Sequence, residues 1–331
     1  MTYKSMVVTR RGGLDAVQIE ERPVRSPAAG QARIKVLATP VVQDDVASRV
    51  GNRPFLAKPP FVPGYVVLGD VDAVGEGVTD VRPGDRVAAL TQFGGHAQMI
   101  EWAATDLVHV PPELDPARAV VLILNYLVAY QILHRVVQVQ PGEKALIIGA
   151  SGGVGTAFLD LGRLAGLTMY GLASAPKHPI LEEHGATPID YRTQDMVQVL
   201  RQAEPAGIDY VFNGMGEEYF ERGLAVLRRG GVLVHYGGPQ SFARFLLLAG
   251  KLLLYNVLPN GKRIKGYGTH RGDVTQYKED WTTLFNLLAA GDIHPHIAQT
   301  FPLLDAVQAY RLLESGAVAG NIVLLAPEVM G

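Results

Sequence analysis

The run Leu146–Gly166, "LIIGASGGVGTAFLDLGRLAG", constrains the fold more than any other stretch of the chain. An apolar segment, "KALIIGA", enters a glycine cluster, and a helical segment, "VGTAFLDLGRLAG", leaves it. Ala150, Gly152 and Gly155 stand at the spacing of a dinucleotide fingerprint whose first glycine is an alanine. Small residues are required there because the turn is tight, backbone has to approach a pyrophosphate, and the helix start has to point its positive end at that charge. The expected phosphate loop is Ala150, Ser151, Gly152, Gly153, Val154 and Gly155. An isolated glycine cluster has a blander reading as a close-packing loop, but here the second strand also follows in order. After it come "TMYGLA", a helical "KHPILEEHG", then "DYVFNG", a helical "EEYFERGLAVLRR" and "GVLVHYG". Strands alternating with helices predict a doubly wound parallel sheet.

Near the end of the second strand, where an NAD-selective site keeps a carboxylate for the ribose hydroxyls, the sequence reads "GLASAPKH". Ser174 and Lys177 stand there instead. A hydroxyl and a cation suit the 2′-phosphate of NADP, so NADPH is the expected cofactor. The alternative for Lys177 is a solvated lysine at a helix start.

The first 120 or so residues have a different texture. Short alternating runs such as "ARIKVLA", "VVLGDVDAVG" and "DRVAAL" are separated by turn signals such as "RPGD" and "PAAGQ", which predicts a compact β-rich, barrel-like unit. After roughly residue 265 come a helical "VTQYKEDWTTLFNLLAAG", a run "HIAQTF", an amphipathic "LLDAVQAYRLLESG" and "NIVLLAP". This tail either extends the sheet or returns to the first unit. No flexible linker is evident, so closely packed units with a cleft between them are expected.

Composition narrows the chemistry. A chain of 331 residues, 48% of them hydrophobic, can bury a large core. With 30 basic and 32 acidic residues it lacks the basic footprint of a nucleic-acid partner. The absence of cysteine rules out disulfides, thiolate nucleophiles and Cys-rich zinc sites. His294 and His296 flank a proline with no third ligand nearby, which fits a turn better than a metal. The N-terminus "MTYKSMVVTRRGG" has no apolar h-region, and a cytoplasmic protein is expected. Phe242–Leu258, the most apolar run, carries Arg244 and Lys251. It reads as a helix buried at a domain or subunit contact rather than a transmembrane segment, with membrane-surface attachment as the lesser reading.

In "VVQDDVASRVG" two aspartates, Asp44 and Asp45, precede a short helical turn closed by Gly51. Aspartate at or next to an N-cap satisfies free backbone N–H groups, so a helix start competes with a reaction site.

The whole chain resembles the zinc-free quinone oxidoreductase branch of the medium-chain dehydrogenase/reductase superfamily. The matching segments are "PPFVPGYVVLGDVDAVGEGVTDVRPGDRVAAL", "FGGHAQMI", "QPGEKALIIGASGGVGTAFLDLGRLAG", "GATPIDYR" and "LLESGAVAGNIVLL", in family order. Within the branch, "LILNYLVAYQIL" and "GLASAPKHPILEEHGATPIDYR" look most like vesicle amine transport protein-like members. The resemblance implies an α/β architecture: a GroES-like β-rich catalytic domain from residues 1–122, completed by a return segment at 266–331, and a Rossmann NADP-binding domain over 123–265. It also implies a homodimer and hydride transfer from NADPH to quinones or to double bonds conjugated with a carbonyl. Ser174, Lys177 and Tyr191 would surround the 2′-phosphate.

Zinc-dependent alcohol dehydrogenases are distant relatives of that branch. Set beside their motifs, Val42 and Leu124 stand where cysteine ligands would be and Tyr65 where the histidine would be, with Val66 in place of the following glutamate. Alcohol oxidation by a Lewis-acid metal is therefore not expected. A quinone or enone does not need the metal, because its conjugated carbonyl already accepts hydride and the resulting oxyanion needs only donors or a proton. Against the quinone reductase pattern, an asparagine near the nicotinamide is replaced by Val42, a tyrosine by Arg53, and a threonine by Val128.

Asp44 falls where the zinc enzymes keep a hydroxyl of their proton relay; a partly desolvated carboxyl there would donate a proton to the reduced substrate. Helix capping is the equal alternative for Asp44, and Asp45 reads as structural. Tyr65 offers a phenol donor or an aromatic wall, and Tyr126 and Asn125 fall beside the cleft. Arg53 would meet an anionic substrate or cover surface. The leading expectation is a zinc-free NADPH-dependent reductase of quinones or α,β-unsaturated carbonyls. Its competitor is a non-catalytic NADPH-binding protein acting through a partner or membrane surface.

Overall fold

A computed structural model describes residues 1–51, 57–237, 242–257, 261–269 and 274–330. They divide into one unit formed by Met1–Leu124 with Val274–Gly331 and another formed by Asn125–Asp273.

In the first unit β1 (Thr2–Val8) and β2 (Val17–Pro23) form an antiparallel pair. The centre of the main sheet is β3 (Gln31–Val41), where alternation of Ala32, Ile34 and Val36 toward the core gives way, from Leu37 onward, to burial on both faces. The chain then forms α1 (Gln43–Val50), which ends at Gly51 with φ +79° and a Gly51 N–H donated to the Ala47 carbonyl. Strands β4 (Val66–Val74), β5 (Arg86–Leu90), β6 (Met99–Ala103) and β7 (Val108–His109) follow, all pairing antiparallel.

The next helix starts with Asp115 accepting the Arg118 N–H and with Pro116 in the first turn, forming α2 (Pro116–Val121). It continues through a wide π turn at Leu122–Tyr126, then α3 (Leu127–Gln131), then a second π turn at Ile132–Val137. By length and composition Pro116–Val137 passes as a membrane span, but 72% of its most apolar window is buried inside the fold, as in a core helix.

The second unit is a six-stranded, wholly parallel sheet. In chain order its elements are β8 (Lys144–Ile148), α4 (Gly153–Leu164), β9 (Thr168–Ala173), α5 (His178–Glu183), β10 (Thr187–Asp190), α6 (Met196–Ala203), β11 (Ile208–Asn213), α7 (Phe220–Val226), β12 (Leu227–Tyr236), α8 (Phe242–Val257) and β13 (Arg263–Tyr267). The spatial order is β10-β9-β8-β11-β12-β13. Every residue of β11 is buried, and Phe158 of α4 stacks on Phe212 with ring centroids 4.6 Å apart. Direction reverses between β8 and β11, so the crevice beyond their carboxyl ends is where such a sheet binds ligands.

One detail departs from the sequence pattern and another extends it. "LRR" at 227–229 reads as the end of a helix, yet Leu227 opens β12 and pairs with Ile208, because the sheet ladder outweighs local helix propensity. The apolar run at Phe242 does form a helix, but in a single chain Leu246, Leu247, Leu253, Leu254 and Val257 are exposed rather than buried.

The tail returns to the first unit. After α9 (Val274–Ala290) come β14 (Ile297–Pro302), α10 (Ala306–Glu314) and β15 (Asn321–Leu325). β15 pairs with β3, giving the order β14-β15-β3-β4-β5-β7 with β6 also on β3. The Trp281 indole N–H of α9 donates to the Ile123 carbonyl at 3.0 Å.

Candidate functional site

At the switch point, β8 runs into a turn whose left-handed residue is Gly149, φ +81°, one position ahead of the alanine in the fingerprint. Ala150 is wholly buried and its N–H donates to the Leu172 carbonyl of β9. Gly155 is compulsory: a Cβ there would lie 2.2 Å from the Gly149 carbonyl oxygen, because α4 packs directly on the loop. Gly152, which precedes α4, differs, since a Cβ would meet nothing nearer than 3.5 Å. The protein does not need glycine at 152 for its own packing, whereas a ligand resting on that backbone would. The cradle of Gly152, Gly153 and Val154 at the start of a twelve-residue helix therefore fits a pyrophosphate.

Beyond β11, Asn213 accepts the Met215 N–H and donates to the Gly216 carbonyl, fixing a short loop. That loop brings the Met215 side chain to the Gly149 turn. Sequence reading missed both residues, because only the sheet order puts them beside the glycine loop.

At the end of β9, Ser174 is buried, with no side-chain capping bond, and its carbonyl accepts the Lys177 N–H. Burial, and then the neighbouring Arg192 charge, hold the Lys177 ammonium below its ordinary range. Tyr191 is exposed, and the Arg192 guanidinium lies 5.8 Å from its ring centre. Arg192 belongs to the "IDYR" motif but was passed over. Two adjacent cations with a serine and a tyrosine could hold a doubly charged anion.

In the first unit, α1 answers the question of the paired aspartates. Val42 is the N-cap, and the carboxylate that caps is Asp45, three residues on, whose Oδ2 accepts the Val42 N–H at 2.9 Å. Helix capping by Asp44 is thereby corrected. Asp44 is half-buried in the first turn, and its carbonyl accepts the Ser48 hydroxyl. The other oxygen of Asp45 accepts the Gly64 N–H at 2.9 Å. Burial pushes the Asp45 carboxyl up to about 7, against hydrogen bonds from the Val42, Gly64 and Tyr65 backbones.

Tyr65 is buried, and its carbonyl accepts the N–H groups of Thr91 and Gln92. Facing Asp45 is His96, with Nε2 3.9 Å from Oδ2. Its Nδ1 pairs with the Tyr310 hydroxyl at 2.9 Å and its Nε2 with the Pro40 carbonyl at 3.3 Å. Burial lowers His96 to about 4, so the ring is neutral.

The helical residues sort differently. Leu124, Asn125, Tyr126 and Val128 are all buried. The Tyr126 hydroxyl donates to the buried Asp160 of α4 at 2.9 Å, and burial with that carboxylate lifts the phenol well above its usual range. Its proton is committed inside the unit, which makes Tyr126 a packing tie rather than a proton donor. Arg53 lies outside the described residues. Among the described residues no group of three His, Asp or Glu side chains comes together to hold a metal.

A switch-point glycine loop in one unit and a GroES-like sheet in the other define an oxidoreductase of the two-domain, dinucleotide-using kind. Residues 28–112 match the alcohol dehydrogenase GroES-like domain and residues 184–324 match the zinc-binding dehydrogenase family. The chain is 31% identical over 338 residues to the synaptic vesicle membrane protein VAT-1 homolog of Homo sapiens, across 97% of this chain and 86% of that one. It is 30% identical to the 2-haloacrylate reductase of a Burkholderia species, across 96% and 98%. The Escherichia coli quinone oxidoreductase, solved in complex with NADPH, superposes with a TM-score of 0.87 at 25% identity, covering 97% of this chain and 99% of that one. The chain belongs to the medium-chain dehydrogenase/reductase superfamily, in the zinc-free branch that contains these quinone oxidoreductases and VAT-1 homologues.

Proposed function

We propose that the protein reduces quinones or α,β-unsaturated carbonyl compounds with NADPH and without zinc. The observation that carries the reading is the pairing of Lys177 with Arg192 beside the buried Ser174, at the strand end where a 2′-phosphate would sit. The pyrophosphate would rest on Gly152, Gly153 and Val154, with Tyr191 flanking the phosphate. When bound, NADPH supplies the hydride.

The chain's own task is then to hold the acceptor and manage one proton. In the first unit Val42 offers apolar wall, and Asp44 and Tyr65 are the groups we assign to a developing oxyanion. NADPH oxidation measured against simple quinones, enones and acrylate-type acids tests the reading. An Asp44→Asn enzyme with unchanged rates would remove Asp44 from the chemistry, and absence of turnover across the panel would overturn the function.

Self-association belongs to the same reading. Among the described residues β13 has only β12 as neighbour, so it is an open sheet edge. On the adjoining α8, Leu246, Leu247, Leu253, Leu254 and Val257 recur at helical spacing and are exposed. A second copy of the chain would cover both features. A double Leu247→Lys, Leu254→Lys variant that runs as a monomer where the parent runs as a dimer, by light scattering, supports this. A parent that is monomeric and floats with vesicles would favour the membrane-surface reading instead.

A further inference from the structure

The two positions vacated by metal ligands, Val42 and Tyr65, lie on separate loops, one at the end of β3 and the other leading into β4. The β3–β4 ladder, with Ala38 opposite Leu68 and the Thr39 hydroxyl donating to the Val66 carbonyl at 2.7 Å, brings the bases of the two loops together. Beyond the ladder, one buried side chain bonds the backbone of both loops: Asp45 Oδ2 takes the Val42 N–H and Oδ1 the Gly64 N–H, each at 2.9 Å, and the carboxylate also accepts from the Tyr65 backbone. Gly64 sits at φ +104°, and a Cβ there would come within 2.3 Å of the His96 backbone N, so the loop has no room to shift.

Behind the carboxylate the packing is closed by residues from distant segments. His96 and Tyr310 are both wholly buried and hydrogen-bonded to each other, with His96 also held by the Pro40 carbonyl of β3. The Arg49 guanidinium lies 5.8 Å from the Tyr310 ring centre, bonds the Gly12 carbonyl and pairs with Glu314 of α10. The tail of the chain thus reaches the clamp through Tyr310 and Glu314.

We infer that Asp45 is a positioning residue for the proposed reduction, a clamp that sets the Val42 and Tyr65 loops relative to each other, and that the His96–Tyr310 pair locks it in place. This rests on the proposed reductase reading only for its kinetic consequence. Neither His96 nor Tyr310 touches substrate; both act through Asp45.

Asp45→Asn keeps the shape but turns an N–H group of the amide toward a backbone N–H, so one half of the clamp opens. The expected result is at least a tenfold fall in kcat for quinone reduction, with the NADPH dissociation constant unchanged within twofold, since the nucleotide loop belongs to the other unit. Hydrogen–deuterium exchange at Val42 and at Gly64–Tyr65 is expected to speed up at least tenfold, with β8 and α4 unaffected. Tyr310→Phe, which removes one hydroxyl, is expected to give the same pattern at two- to fivefold. It serves as the test if Asp45→Asn does not fold.

Unchanged exchange at Val42 and Gly64–Tyr65 would overturn the inference, as would a rate loss matched by an equal loss of NADPH affinity. If the parent chain turns over no quinone or enone, the reductase reading fails while the exchange data still judge the clamp.

Discussion

The glycine loop at Gly149–Gly155 and the aspartate clamp at Val42–Asp45 both hold backbone in a fixed shape for a bound molecule, but by opposite means. In the loop, the shape comes from what is missing: no Cβ at Gly155, a left-handed turn at Gly149, and room for a Cβ in ordinary contact at Gly152. In the clamp it comes from a buried carboxyl with three backbone donors and a histidine–tyrosine pair behind it. Backbone-built sites tolerate almost any surroundings but no added atoms. A site built on a buried polar group tolerates small changes of volume but depends on every partner.

The sharpest way to test the contrast is at the glycines. Gly155→Ala is expected to reduce NADPH affinity by about a hundredfold or more and to lower the melting temperature, because the new methyl group drives into the Gly149 carbonyl. Gly152→Ala is expected to leave the melting temperature of the free protein unchanged while still weakening NADPH, measured by fluorescence titration. Equal melting losses for both would mean that the loop is shaped for packing alone.

Charge at the phosphate site comes next. Lys177→Ala and Arg192→Ala are each expected to lower the preference for NADPH over NADH by about tenfold, with less than additive effects together because the two cations are neighbours. A variant whose NADPH and NADH affinities fall in parallel would remove that residue from 2′-phosphate recognition. Tyr126→Phe should cost about 1–2 kcal/mol of stability through the lost bond to Asp160 and leave kcat nearly unaltered. A large kcat loss at native stability would return the phenol to the chemistry.

The smallest effect is a pH dependence. Asp45 titrates near 7 in the folded chain and near 3.8 when unfolded, so between those values only the folded state holds the proton, and this group's contribution falls as pH rises. His96 titrates near 4 folded and near 6.5 unfolded; over that range only the unfolded state holds the proton, and its contribution rises with pH. The two slopes oppose each other between about pH 4 and 6.5. Melting temperature followed against pH should therefore climb more steeply across that window in Asp45→Asn than in the parent, and less steeply in His96→Gln. Parallel profiles for all three proteins would show that neither group titrates as its burial dictates.

Much of the fold was legible because it is written in local patterns. The parallel sheet followed from strand–helix alternation, and the loop from glycine spacing, since a backbone site leaves its mark where it stands. The proposal for Ser174 and Lys177 rests on a short motif and that for Tyr191 on the family resemblance, while Arg192, one residue further in "IDYR", entered only with the structure. The clamp was half legible. Asp45 read as structural, but its partners Gly64, His96 and Tyr310 lie far along the chain, and nothing local joins them. The bond from Tyr126 to Asp160 was out of reach for a related reason: Asp160 lies on the far side of the glycine loop and looks, in sequence, like one more helical carboxylate. What covers the exposed face of α8 was not legible, because apolar content reports that a surface wants covering, not what covers it.

The π turn at Leu122–Tyr126 gives the helix a different kind of importance. A π turn holds one residue more than an α-helical turn, so it acts as a stored insertion. Removing a single residue there would leave a regular helix with the residues after the turn close to their present facing, because the wide turn already absorbs the extra residue locally. The change would fall on the turn itself, where Leu124, Asn125 and Tyr126 share the surplus position. In a lineage of such chains, one codon gained or lost here would rewrite a single turn while sparing the helix on either side.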